Sequence, residues 1–150
     1  LFQALQLTFN QNQSGLQHAF VQQDDDGYTA LHIATGSNNH ESMKALLESL
    51  EKAFAGNKEG LQDALTRQDN NGLTPLHVAS LNKNLEISSS LLYVLKNAFR
   101  GNQTELQDAL TQENHQGYTP LKLAAQNNNL EVVALIQTAI DQGEEAINAQ

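Results

Sequence analysis

Gly72-Leu73-Thr74-Pro75-Leu76-His77-Val78-Ala79-Ser80 opens on a turn residue and passes at once into a helix start. Thr74 is an N-cap type whose hydroxyl can accept a backbone N–H. Pro75 suits the first helical position, where its missing N–H leaves nothing unsatisfied. The same pattern stands 45 residues earlier as Gly27-Tyr28-Thr29-Ala30-Leu31-His32-Ile33-Ala34, and 45 residues later as Gly117-Tyr118-Thr119-Pro120-Leu121-Lys122-Leu123-Ala124. A constant period of this length predicts units that bury their apolar faces against one another in a stacked solenoid. Solenoids bind partners along an extended surface, so recognition is expected before catalysis.

Working outward, each unit starts with a turn: Asp25-Asp26-Gly27, Asn70-Asn71-Gly72 and His115-Gln116-Gly117. Leu31, Ala34, Leu76, Ala79, Leu121 and Ala124 make a short apolar stripe on a first helix. A second turn follows at Asn38-Asn39, Lys83-Asn84 and Asn128-Asn129. Asn39, Asn84 and Asn129 are expected to cap a second helix, with Glu41, Glu86 and Glu131 favourably placed at its N-terminal dipole. Met43, Leu46, Leu47, Leu50 and Phe54 recur at helical spacing there. Leu91, Leu92, Leu95 and Phe99 repeat the pattern, as do Val133, Ile136 and Ile140.

A helix–turn–helix unit opened by Gly-x-Thr-Pro-Leu-His resembles the ankyrin repeat, and Gly72 through Ser80 carries that motif almost residue for residue. The resemblance covers nearly the whole chain. It implies an all-α ankyrin-type solenoid that serves protein–protein recognition, as one domain over residues 1–150: a partial unit at 1–23 and units at 24–68, 69–113 and 114–150. The usual ankyrin period is about 33 residues, so these units carry about 12 more. The surplus falls in Gly56 to Leu65 and Gly101 to Leu110. Asn102 and Glu105 read as a capping box, and Leu106, Ala109 and Leu110 then predict a short third helix per unit. Where the family often places glycine between the two main helices, this chain has Asn38, Lys83 and Asn128; Asn accepts the left-handed region more readily than Lys.

Both ends interrupt a unit. Leu1, Phe2, Leu5, Phe9, Asn12 and Leu16 align at the same offset with Leu46, Leu47, Leu50, Phe54, Asn57 and Leu61. The segment Ala146-Ile147-Asn148-Ala149-Gln150 is similar to the strand-like stretch that leads into a further ankyrin unit. These features predict a piece of a longer protein with Leu1, Phe2 and Leu5 partly uncovered.

The charge is −9 at pH 7, which opposes contact with nucleic acid or anionic lipid and suits a basic partner. There is no cysteine, hence no disulfide and no thiolate metal site. That agrees with an intracellular setting, cytoplasmic or, for a secreted effector, the host cytoplasm. No apolar run approaches the roughly 18 residues of a membrane-spanning helix. Asn and Gln, roughly a fifth of the chain, are dispersed through amphipathic segments rather than gathered in a tract.

Chemical constellations are weak. His32 and His77 come from successive units, on the order of 10 Å apart, too far to share a metal; in ankyrin repeats the matching histidine hydrogen-bonds near the turn, and Lys122 replaces it in the third unit. Asp24-Asp25-Asp26-Gly27 fails as a calcium loop, because Gln22 and Ile33 would fall at its two anchoring positions. No phosphate-cradling loop or activated serine stands out. The expectation is no catalysis, no metal and no cofactor.

The ankyrin resemblance implies a partner surface on the turn tips and the exposed side of the first helices, lining a concave groove. The matching positions are Asp25, Asp26, Tyr28, Gly36 and Ser37 in the first unit; Asn70, Asn71, Leu73, Leu81 and Asn82 in the second; His115, Gln116, Tyr118, Gln126 and Asn127 in the third. Tyr28, Leu73, Leu81 and Tyr118 are the expected anchors, since aromatic and apolar groups dominate hot spots. The inserted third helices are the rival surface. A monomeric interaction module is expected; recruitment for a larger enzyme, or a regulatory cytoplasmic domain of a membrane protein, are the alternatives.

Overall fold

Thr29, Thr74 and Thr119 each start a helix, and each hydroxyl accepts the backbone N–H three residues on. This recurs because the computed structural model, which describes residues 2–149 and all their side chains except those of residues 2 and 5–10, is built of repeated helix groups. Nine helices run along the described residues: α1 Phe2–Val21, α2 Ala30–Gly36, α3 His40–Ala53, α4 Lys58–Thr66, α5 Pro75–Leu81, α6 Leu85–Ala98, α7 Gln103–Leu110, α8 Pro120–Gln126 and α9 Leu130–Asn148. There is no strand among them. The expectation that Leu1, Phe2 and Leu5 stand uncovered lies outside the described side chains.

The helices stack in layers. First helices pack in the order α2, α5, α8 and second helices in the order α3, α6, α9. Each third helix lies against the second helix of the following unit, α4 on α6 and α7 on α9. The core follows the repeat: Leu31 and Leu76 on the first helices, Leu47 and Leu92, then Leu50, Leu95 and Ile140 on the second, and Ala64, Leu65, Ala109 and Leu110 on the third are all buried. In α9 the fully buried residue of the first turns is Val132, while Val133 is only half-buried.

Both ends of the chain depart from the inner units, and at the C-terminal end this corrects an expectation. The alignment of residues 1–22 with a second helix, a break and a third helix implies a break near Asn12, yet α1 is one continuous helix. Ala146-Ile147-Asn148 is not strand-like; it is the last turn of α9. One residue explains both. In the inner units the second helix ends where Asn57 and Asn102 donate to the Phe54 and Phe99 carbonyls across Gly56 and Gly101, which have φ of 81° and 87°. The equivalent residues are Gln11 and Ala146. Without a residue that enters the left-handed region cheaply, the helix runs on.

The turn between first and second helices also varies with its residue. Asn38 and Asn128 hold φ of 60° and 54°. Lys83 does not enter that region; instead Asn82 leaves the helix extended, at φ −99° and ψ 127°, and its Oδ1 accepts the Asn84 N–H. Asn39 and Asn84 cap α3 and α6 as expected. Asn129 does not cap α9. It is buried, and its side-chain amide donates to the carbonyls of Ser80 and Asn82 in the preceding unit. Carbonyls at the end of α5 would otherwise lack partners, which is the stronger demand.

Candidate partner-binding surface

The turn tips are built by side chains that sequence reasoning did not single out for this role. Asp24 Oδ1 accepts the N–H groups of Asp26 and Tyr28, at 3.0 and 2.8 Å. Asp69 does the same for Asn71 and Leu73, and Asn114 for Gln116 and Tyr118. A short acceptor two and four residues upstream is the available signal. Successive tips are then tied together, since Asn70 N–H donates to the Asp26 carbonyl and His115 N–H to that of Asn71, both at 3.0 Å.

Behind the tips, His32 locks one unit to the next. Its Nδ1 accepts from the Thr29 backbone N–H at 3.1 Å and lies 2.8 Å from Thr29 Oγ1. A backbone N–H can only donate, so Nδ1 is bare and the ring proton sits on Nε2, which donates to the Leu73 carbonyl at 2.8 Å. His77 repeats this with Thr74 and the Tyr118 carbonyl. Burial pushes both imidazoles below their ordinary value, and the carbonyl bonds and Asp69 offset that only in part. Lys122 has no ring to close the box, so only Thr119 caps α8.

The structure brings the upper candidates into one row. Asp25, Asp26, Asn71, His115 and Gln116 are exposed at the tips, while Tyr28, Leu73 and Tyr118 are half-buried beneath them. The Tyr28 ring lies 6.0 Å from that of His32. Asn70 is exposed, but its amide is committed to the Asp25 carbonyl. At the far end of the first helices, several candidates tie the fold together. Ser37 Oγ donates to the Ala34 carbonyl, Asn82 to that of Thr35, and Asn127 to that of Leu81. Gly36 and Gln126 are exposed there, and Leu81 retains 47% of its surface. A hollow of about 530 Å³ lies between the ends of α2 and α5, walled by Gly36, Val78, Leu81 and Asn82.

Sequence reasoning passed over Ile33, Val78 and Leu123. They occupy one position of the repeat, two residues after its inward leucine (Leu31, Leu76 and the partly buried Leu121) and hence about 200° around the helix from it. Ile33 is 59% exposed, and Val78 and Leu123 are half-buried. An apolar residue recurring on the side that does not pack was the signal. Together with Leu81 they give the first helices an apolar strip beside an acidic tip.

Among the described residues no group of three or more His, Cys, Asp or Glu side chains is placed to hold a metal ion, and no helix is long and apolar enough to cross a membrane. Against known proteins, no curated protein matches the chain. A family model described as ankyrin repeats (3 copies) matches residues 2–100 and 53–146. With its Thr-x-x-His boxes, stacked helix pairs and this match, the chain belongs to the ankyrin-repeat family.

Proposed function

We propose that this chain recognises a partner protein or peptide along the face formed by its turn tips and first helices. Ankyrin repeats are generally protein–protein interaction modules, which sets the class. The observation that carries the choice of face is the apolar row Ile33, Val78 and Leu123, with Ile33 59% exposed and the other two half-buried. Leu81, on the same first-helix layer and 47% exposed, and the half-buried Tyr28 and Tyr118 at the tips add to its apolar surface. Asp25 and Asp26 at the tip, and the overall charge of −9, favour a partner whose contacting surface is basic. Apolar anchors within a polar rim are what a recognition surface needs, the anchors giving affinity and the rim charges steering encounter.

Affinity capture from cell lysate tests the reading. The wild-type chain is set against Ile33→Asn/Leu81→Asn and against Tyr28→Ala/Leu73→Ala/Tyr118→Ala, each used only if its melt stays close to wild type. A partner that reproducibly follows the wild-type chain and is lost from both variants supports this face. A partner held equally by all three places recognition elsewhere on the molecule.

A further inference from the structure

The repeat itself supplies a control for each exposed residue, and Tyr93 departs from it. Tyr93 sits on α6 with 67% of its surface open, where the neighbouring units carry Glu48 and Thr138. Packing does not explain a phenol ring there, because the polar residues of the sister units fill the same place in the fold. Beside it, the serines of α6 keep the surface low. Ser89 stands where α3 has Lys44, and Ser90 accepts or donates at 3.1 Å to His40 Nε2 of the unit before. The result is a groove of about 510 Å³ between α3 and α6, with Tyr93 as one wall and Leu47 and Val94 at its floor. It lies on the second-helix layer, away from the face proposed above.

The rim says what fits. Glu48 and Glu51 edge the groove, and behind its lining residue His40 the Glu86 carboxylate lies 3.2 Å from His40 Nδ1. Among the described residues Lys44 is the one Lys or Arg lining it. We infer that this groove is a second docking surface, which takes an amphipathic helical segment with a Lys- or Arg-rich polar face and an apolar stripe against Tyr93. Two parallel 14-residue helices with a trough between them offer the length of a few helical turns. An apolar centre edged by carboxylates matches a helix whose apolar stripe is flanked by cations.

The test uses a synthetic Leu/Lys peptide of about 16 residues with Leu at helical spacing. Its controls are a scrambled Leu/Lys peptide and a Leu/Glu counterpart. Affinity is read by fluorescence anisotropy and position by amide chemical shifts of the labelled chain. The expected result is shifts along α3 and α6, about tenfold weaker binding in Tyr93→Thr, and loss of the preference for Leu/Lys over Leu/Glu in Glu48→Lys/Glu51→Lys. Ile33→Asn/Leu81→Asn should leave this binding unchanged. Tyr93→Thr installs the residue of the third unit at an exposed position, so its fold is preserved and its melt verifies that. Equal binding of the scrambled peptide overturns the inference, as do unchanged affinity in Tyr93→Thr and shifts confined to α2, α5 and α8. A Tyr93-dependent dimer seen by light scattering without peptide overturns it in favour of a second copy as occupant.

Discussion

His32 and His77 are almost fully enclosed, with their donors and acceptors already assigned. Adding a proton to Nδ1 opposes the backbone N–H that points at it, so the fold holds both rings neutral. Unfolded, each titrates near its ordinary value of 6.5; folded, each binds its proton only at lower pH. Stability is therefore complete above that value and is lost as pH falls through the folded-state value, by at most about 1.4 kcal/mol per pH unit for each ring. The melting temperature should decline as pH falls from about 6.5 toward 5; a flat profile over that range contradicts the assigned ring states. Two glycines give a sharper contrast. Gly72 and Gly117 have φ of 80° and 82°, but a Cβ at Gly72 would lie 2.7 Å from His115 N, whereas one at Gly117 would meet nothing within 4 Å. Gly117→Ala should cost about 1–2 kcal/mol in chemical denaturation, the strain alone. Gly72→Ala should cost clearly more, because the neighbouring tip must also move. Equal losses would show that the tips are not tied as described.

Glutamines on the third helices, and at the matching place on α1, tie each unit to the next. Gln17 and Gln62 occupy one repeat position, and their amides donate to the carbonyls of Ala53 and Ala98 at 2.7 and 2.8 Å. These carbonyls end the second helix of the next unit, where partners are otherwise missing. Gln107 holds the same position but donates to Ile140, because α9 continues past the matching residue. Gln62→Ala should then lower stability by about 0.5–1.5 kcal/mol in a urea melt. No change would leave the inserted helix held by its apolar face alone. The existence and order of these helices was legible beforehand, since Thr caps, Asn caps and leucine spacing all pointed one way. What escaped was decided by competition between partners. Asn129 had two possible jobs, and the unsatisfied end of α5 outweighed the start of α9. The continuous α1 and α9 depended on one missing glycine in each. Ile33, Val78 and Leu123 were legible as a recurrence but hidden inside a motif read for its buried residues.

As a stacked array, the molecule separates what holds it together from what it can offer a partner. Histidine bridges, tip-to-tip backbone bonds and asparagine ties across the helix ends join neighbours, and the buried leucines lie between the layers. Some residues that a family pattern would assign to recognition are engaged in the fold instead: Asn82 and Asn127 in those ties, and Ser37 in closing the end of its own helix. The surface proposed for recognition is narrower: the acidic tip of the first unit, Tyr28, Leu73 and Tyr118 beneath the tips, and the apolar row with Leu81. Methyl groups make that claim measurable. With methyl-labelled chain, the captured partner is titrated in and the resonances are followed on both helix layers. The account predicts shifts at Ile33, Val78, Leu81 and Leu123, with the exposed Leu85 and Leu130 at the starts of α6 and α9 unchanged. Shifts at Leu85 and Leu130 with the Ile33 row silent would contradict it.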